Sequence, residues 1–145
     1  PFFLIPRVED FLVRAEYYGE PSDIRFAAAV SYWGDRQIEI IVPSNDAPSI
    51  YRDWLRSGRT GLHHVSIEVD SLEPGRRLAL DEGNPVAQEL TIGSGGGVIY
   101  IDVGEDADVR YIELYQFSPG QREMFAGFQA VARDWDGSDP LRTLD

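Results

Sequence analysis

The chain has 145 residues, 43% of them apolar, enough to build a folded core and too many for global disorder. Its formal net charge of −12 opposes binding to nucleic acid or to an anionic membrane surface, and no apolar run is long enough to span a bilayer. Cysteine and lysine are both absent, which excludes disulfides, thiolate ligands, cysteine nucleophiles and lysine Schiff bases.

Phe2 to Val8 and Phe11 to Tyr18 are strand-like, followed by the turn Gly19-Glu20-Pro21-Ser22-Asp23. Phe26 to Trp33 and Gln37 to Val42 are predicted as a strand pair joined by Gly34-Asp35. A helix is expected over Pro48 to Leu55. Leu62 to Val69 is a strand with apolar residues at alternate positions. Asp70 or Ser71 then caps a helix that has Pro74 in its first turn, covers Arg76 to Glu82 and is closed by Gly83. Pro85 to Ile92, Val98 to Val103 and Tyr111 to Phe117 are three further strands. The run Gly93-Ser94-Gly95-Gly96-Gly97 between the first two lacks the lysine and helix of a phosphate loop and reads as a flexible hairpin turn over a cavity mouth. Gly120 to Trp135 is a helix, with Met124, Phe125, Phe128, Val131 and Ala132 spaced for one buried face.

The order from Leu62 onward is β-α-β-β-β, and the first half shows the later part of that order. The chain therefore reads as an internal repeat without the strand and helix that would open its first copy. The expected division is 1–44 for the remainder of the first module, 45–60 for a helical linker, 61–118 for the second module and 119–145 for a C-terminal helix and tail. The same count places about 20–25 further residues ahead of Pro1 in the natural protein.

Glu39 and Glu113 occupy matching places in the two modules, each inside an apolar strand. A carboxylate there is costly to bury without compensation. The chain's two histidines, His63 and His64, stand on a third strand. Alternation puts Glu39 on a face with Gln37 and Ile41, His64 with Ser66 and Glu68, and Glu113 with Tyr111 and Tyr115. It sends His63 to the opposite side, with Val65, Ile67 and Val69 on a packed face, which selects His64 as ligand and leaves His63 as a packing or rim residue. Imidazole and carboxylates suit Zn, Ni, Co, Mn or Fe better than Ca. The rival reading is a polar, solvated sheet face. Tyr32, Tyr100, Tyr111, Tyr115 and Ser66 are the candidates to line a substrate cavity.

Three segments, Gln37-Ile38-Glu39-Ile40, Leu62 through Asp70 with its paired histidines, and Tyr111-Ile112-Glu113-Leu114, resemble the vicinal oxygen chelate superfamily. That superfamily includes glyoxalase I, methylmalonyl-CoA epimerase, extradiol dioxygenases and bleomycin-resistance proteins. Pro1-Phe2-Phe3-Leu4, Asn45-Asp46-Ala47-Pro48-Ser49 and Trp135-Asp136-Gly137-Ser138-Asp139-Pro140 resemble a bacterial glyoxalase-like subgroup. The resemblance implies an α+β fold of paired βαβββ modules forming a U-shaped mixed sheet around a metal, with the first β-α unit absent from this sequence. It implies Glu39, His64 and Glu113 as three of four metal ligands, the fourth lying on that first strand. It implies a small oxygen-chelating substrate, with Glu113 or Glu39 moving a proton in isomerase, lyase or epimerase chemistry. The alternatives are a metal-dependent dioxygenase and a non-catalytic small-molecule-binding protein. A cytoplasmic homodimer that binds neither nucleic acid nor membrane completes the expectation.

Overall fold

A computed structural model describes residues 1–144. The chain runs through β1 (Phe2–Ile5), a 3-10 turn (Val8–Phe11), β2 (Leu12–Tyr17), β3 (Glu20–Pro21), β4 (Phe26–Trp33), β5 (Arg36–Pro43) and α1 (Ile50–Arg56). It continues through β6 (His64–Glu68), α2 (Leu72–Asp81), β7 (Val86–Ile92), β8 (Gly96–Asp102), β9 (Tyr111–Phe117), α3 (Pro119–Arg133) and β10 (Leu141–Thr143). The strands form two sheets, ordered β10-β1-β4-β5 and β3-β2-β7-β8-β9-β6. This is the mixed α+β architecture that the repeat pattern predicts.

Two runs of three strands correspond in their pairing. β1-β4-β5 and β7-β8-β9 are matching antiparallel runs, in which Val30 pairs with Glu39 and Tyr100 with Glu113. In the second sheet β6 adds to β9 in parallel, with Ser66 beside Glu113. In the first, β5 is the terminal strand among the described residues.

Several elements depart from the sequence expectation. The first strand stops at Ile5, because Pro6 removes a ladder donor. β2 leaves the first module and pairs with β7 (Leu12 with Ile92, Tyr17 with Gln88). β3 forms inside the expected turn, and the tail returns as β10 beside β1, with Phe2 opposite Leu141. Alternation identifies a strand but not its partner.

The helices are set by their caps. The Ser49 side chain accepts from the backbone N–H of Arg52 and starts α1. Ser118 and Gln121 form a reciprocal capping box ahead of α3, with Pro119 opening the first turn. Ser71 stands at the α2 cap position.

Two apolar clusters hold the second sheet from both sides. Ile24, Phe26, Ile50, Tyr51, Ala87, Leu90, Val98, Tyr100 and Tyr111 fill the space between the sheets. Ala79, Ile99, Ile101 and Leu114 pack under α2 on the outer face. Successive β8 residues thus serve opposite clusters. α3 ties the sheets together, with Phe128 stacked on Phe3 of β1 at 4.2 Å and Phe125 on Phe117 of β9 at 4.8 Å. Its buried stripe is narrower than predicted, since Met124 and Val131 face solvent. The expected packed face of β6 is also half open. Val65 is 42% and Ile67 50% exposed, because α2 sits over β7, β8 and β9 and leaves the edge strand uncovered. On the outer face of the first sheet Trp33, Ile38, Ile40 and Val42 are exposed as well.

Candidate metal centre

Glu39 on β5, His64 at the start of β6 and Glu113 on β9 come from three strands and both sheets, yet they meet at one point. One potential ligand atom from each lies within 4.8 Å of the others. His64 Nε2 is 3.5 Å from a carboxylate oxygen of Glu39 and 3.5 Å from one of Glu113. Parallel pairing of β6 with β9 sets the His64–Glu113 approach, and the fold brings β5 of the opposing sheet to the same place.

The two carboxylates differ in setting. The Glu113 side chain is 10% exposed, against 28% for Glu39. Glu113 also accepts a hydrogen bond from Ser66 Oγ. Burial raises the Glu113 carboxyl above its ordinary range, and the Glu39 charge raises it further; His64, Ser66 and Tyr100 only partly offset this. Burial alone would lower His64, but its hydrogen bond to the Glu39 carboxylate and the charges of Glu113 and Glu39 outweigh it, and the imidazole ends above its ordinary value.

His63 departs from the alternation prediction. The strand begins at His64, so the pleat does not extend to its neighbour. The His63 ring instead turns toward the same region, with Nδ1 2.9 Å from His64 Nδ1 and Nε2 3.5 Å from the Ile50 carbonyl. Tyr51, Trp54 and Tyr111 surround it at 5.6, 5.1 and 4.9 Å between ring centroids. Burial and the neighbouring His64 charge push it down to about 4.

The remaining candidates divide by depth. Tyr100 and Tyr111 lie in the core at 2% and 1% exposure. Tyr100 accepts a hydrogen bond from Tyr51 at 2.9 Å and stands edge-on to His64. Tyr32 donates to the Phe125 carbonyl at 3.1 Å, and Tyr115 packs against Phe117. Both are only partly buried. Tyr51 and Gln88 enter the network without having been anticipated. Gln88 accepts from the Ile50 N–H while its amide nitrogen is buried without a protein partner. A glutamine inside the apolar run of β7 was the available clue to it. Tyr51, at the buried start of a short helix, had no distinguishing pattern.

One imidazole nitrogen and two carboxylate oxygens form a donor set for a first-row divalent ion. Ligands held about 2.0–2.2 Å from a common ion lie roughly 3–4 Å apart, so this cluster fits one with small side-chain movements. A dication would also relieve the repulsion between Glu39 and the buried Glu113. The group could therefore hold a metal ion, of a kind the donors leave open.

The sequence profile of the glyoxalase/bleomycin resistance protein/dioxygenase superfamily matches residues 7–100, a span that carries Glu39 and His64 and stops short of Glu113. No curated protein sequence gives a significant match. Among the described residues no helix is long and apolar enough to cross a membrane. With the match covering more than half of the chain and a mixed α+β sheet arrangement compatible with it, the chain belongs to the glyoxalase/bleomycin resistance protein/dioxygenase superfamily, the vicinal oxygen chelate group.

Proposed function

We propose that this protein is a metal-dependent enzyme acting on a small substrate with two adjacent oxygens, by enolate-type isomerase, lyase or epimerase chemistry. The observation that carries the reading is the convergence of Glu39, His64 and Glu113 from three strands. A divalent ion bound there supplies a Lewis acid for the developing oxyanion. Glu113, with its Ser66 hydrogen bond and low exposure, is the fixed carboxylate. Glu39 is the more exposed one and takes up or returns the proton at the substrate carbon. Tyr32 and Tyr115 border the substrate, Ser66 and Tyr100 hold Glu113, and Tyr111 packs the wall behind His63. The protein acts as a homodimer, since the open β5 edge and the exposed Ile38, Ile40 and Val42 form a surface suited to cover by a second copy.

The test has two parts. Elemental analysis and Zn²⁺ or Co²⁺ titration should give one ion per chain, lost in His64→Ala. NMR-monitored deuterium uptake at the carbon beside the carbonyl should then appear across α-hydroxy carbonyl probes in the metal-loaded protein and fall at least about 100-fold in Glu39→Gln. Oxygen consumption in place of deuterium uptake would move the protein to the dioxygenase class. Absence of a stoichiometric metal would remove the reading altogether.

A further inference from the structure

We propose that His63 is a positioning residue whose imidazole fixes the tautomer of His64, so that His64 presents a bare Nε2 to the metal centre. The proposal rests on the metal-centre reading above, but its geometry stands apart from it. A backbone carbonyl only accepts hydrogen bonds. The Ile50 carbonyl, 3.5 Å from His63 Nε2, therefore assigns the proton of a neutral His63 to Nε2. His63 Nδ1 is left as an acceptor. It lies 2.9 Å from His64 Nδ1, which must then carry the donated proton. With Nδ1 of His64 holding its proton toward His63, Nε2 is the nitrogen that gives up a proton when the charged ring becomes neutral; until then that proton points at the Glu39 and Glu113 carboxylates, 3.5 Å away, and a metal ion entering there would replace it. The opposite tautomer would place a proton on Nε2 and leave two nitrogen lone pairs facing each other at 2.9 Å.

Metal-bound histidines commonly donate their second N–H to a carboxylate, a carbonyl or water. Here a second imidazole takes that place, and its own far side is anchored at the start of α1. The packing of Tyr51, Trp54 and Tyr111 leaves the ring little room to turn away. The relay thus links α1 to the centre through Ile50, His63 and His64. Sequence alternation assigns His63 to the wrong face and hides it.

The experiment compares the wild type with His63→Phe, which keeps a planar ring but removes the acceptor, and with His63→Asn, whose amide oxygen falls near the place of Nδ1. Zn²⁺ affinity is read by chelator competition, and the His64 tautomer by ¹⁵N NMR of the imidazole in the zinc-free and zinc-loaded protein. The expected result is a His64 proton on Nδ1 in the wild type, an affinity loss of about 10–100-fold in His63→Phe and substantial recovery in His63→Asn. Wild-type affinity in His63→Phe, or a His64 ring without an Nδ1 proton, overturns the proposal. If His63→Phe does not fold, the wild-type spectrum and the Asn variant decide in the same way. If the wild type binds no Zn²⁺, the metal-centre reading fails, and the zinc-free spectrum alone upholds or overturns the relay.

Discussion

Gly96→Ala should be among the most damaging single substitutions outside the core, for a reason that its neighbour Gly95 isolates. Both glycines have left-handed backbone, φ +86° at Gly96 and φ +96° at Gly95, so alanine at either position incurs about 1–2 kcal/mol of backbone strain. At Gly95 an added Cβ meets nothing within 4 Å. At Gly96 it would lie 2.1 Å from the Gln116 carbonyl oxygen and 3.2 Å from its carbon. Backbone in a strand cannot swing aside as a side-chain tip can, so the ends of β8 and β9 must separate. That breaks the pairing of Gly96 with Phe117 and Gly97 with Gln116. Losing about two ladder hydrogen bonds adds roughly 1–3 kcal/mol to the strain. Gly96→Ala should therefore cost about 2–5 kcal/mol and Gly95→Ala about 1–2 kcal/mol. At about 2–4 °C per kcal/mol for a chain of this size, Gly96→Ala should melt roughly 5–20 °C below wild type. Urea denaturation of both variants, with chelator present, measures the difference. Equal losses would show that strand contact contributes nothing at Gly96 and that the glycine run is only a flexible loop.

Ser66→Ala should cost only about 1 kcal/mol in stability, because Ser66 is itself exposed, yet should weaken Zn²⁺ binding roughly tenfold by releasing Glu113; equal affinity in a chelator competition would remove Ser66 from the site. His63 has a folded value near 4, so between pH 6.5 and about 4 the unfolded chain takes up a proton that the folded one refuses, and stability falls as pH drops through that window. His64 acts in the opposite sense: its contribution is complete below pH 6.5 and is lost as pH rises through its raised folded value. Urea midpoints in chelator should thus show His63→Phe losing about 1 kcal/mol less than wild type between pH 7 and pH 5, after allowance for the ring's partial exposure; parallel losses would contradict the burial argument. Light scattering at micromolar concentration should give a dimer mass, and Ile40→Glu on the exposed face should shift it to monomer; a wild-type monomer ends the dimer reading.

The three-residue cluster was legible because each member breaks a local pattern. Glu39 and Glu113 are carboxylates within apolar strands, and His64 stands on the polar side of its own. The two glutamates stand at corresponding places of the two antiparallel runs, opposite Val30 and Tyr100, although burial bears much harder on Glu113 than on Glu39. Strand partners were not legible. Nothing in Leu12 to Tyr17 distinguishes pairing within its own module from pairing with β7, because a half-buried strand shows the same alternation against either neighbour. The depth of a tyrosine was equally hidden. Tyr100 and Tyr115 are both tyrosines on the inner face of interior strands, and what marks the buried ring is Tyr51, which covers Tyr100 and donates a hydrogen bond to it.

The least legible residue has the most specific geometry. Period-two reasoning holds only where the backbone is pleated, and it fails at His63 because the ladder begins one residue later. A residue just outside a strand can turn its side chain toward its neighbour's, and the Nδ1 to Nδ1 approach of 2.9 Å depends on that freedom. Moving the start of β6 back by one residue would pleat His63 to the outer face and strip His64 of its hydrogen-bond partner. Under the proposed relay, the strand's starting point would bear on the centre as directly as the choice of ligands. Gly61 supports that start, with φ +96° and open space around it, by turning the chain just before the two histidines. An alanine there fits sterically but disfavours the turn, so Gly61→Ala should shift the His64 tautomer equilibrium while costing only about 1–2 kcal/mol in stability. An unchanged imidazole spectrum in a variant destabilised by that amount would show that the turn and the histidine pair are set independently.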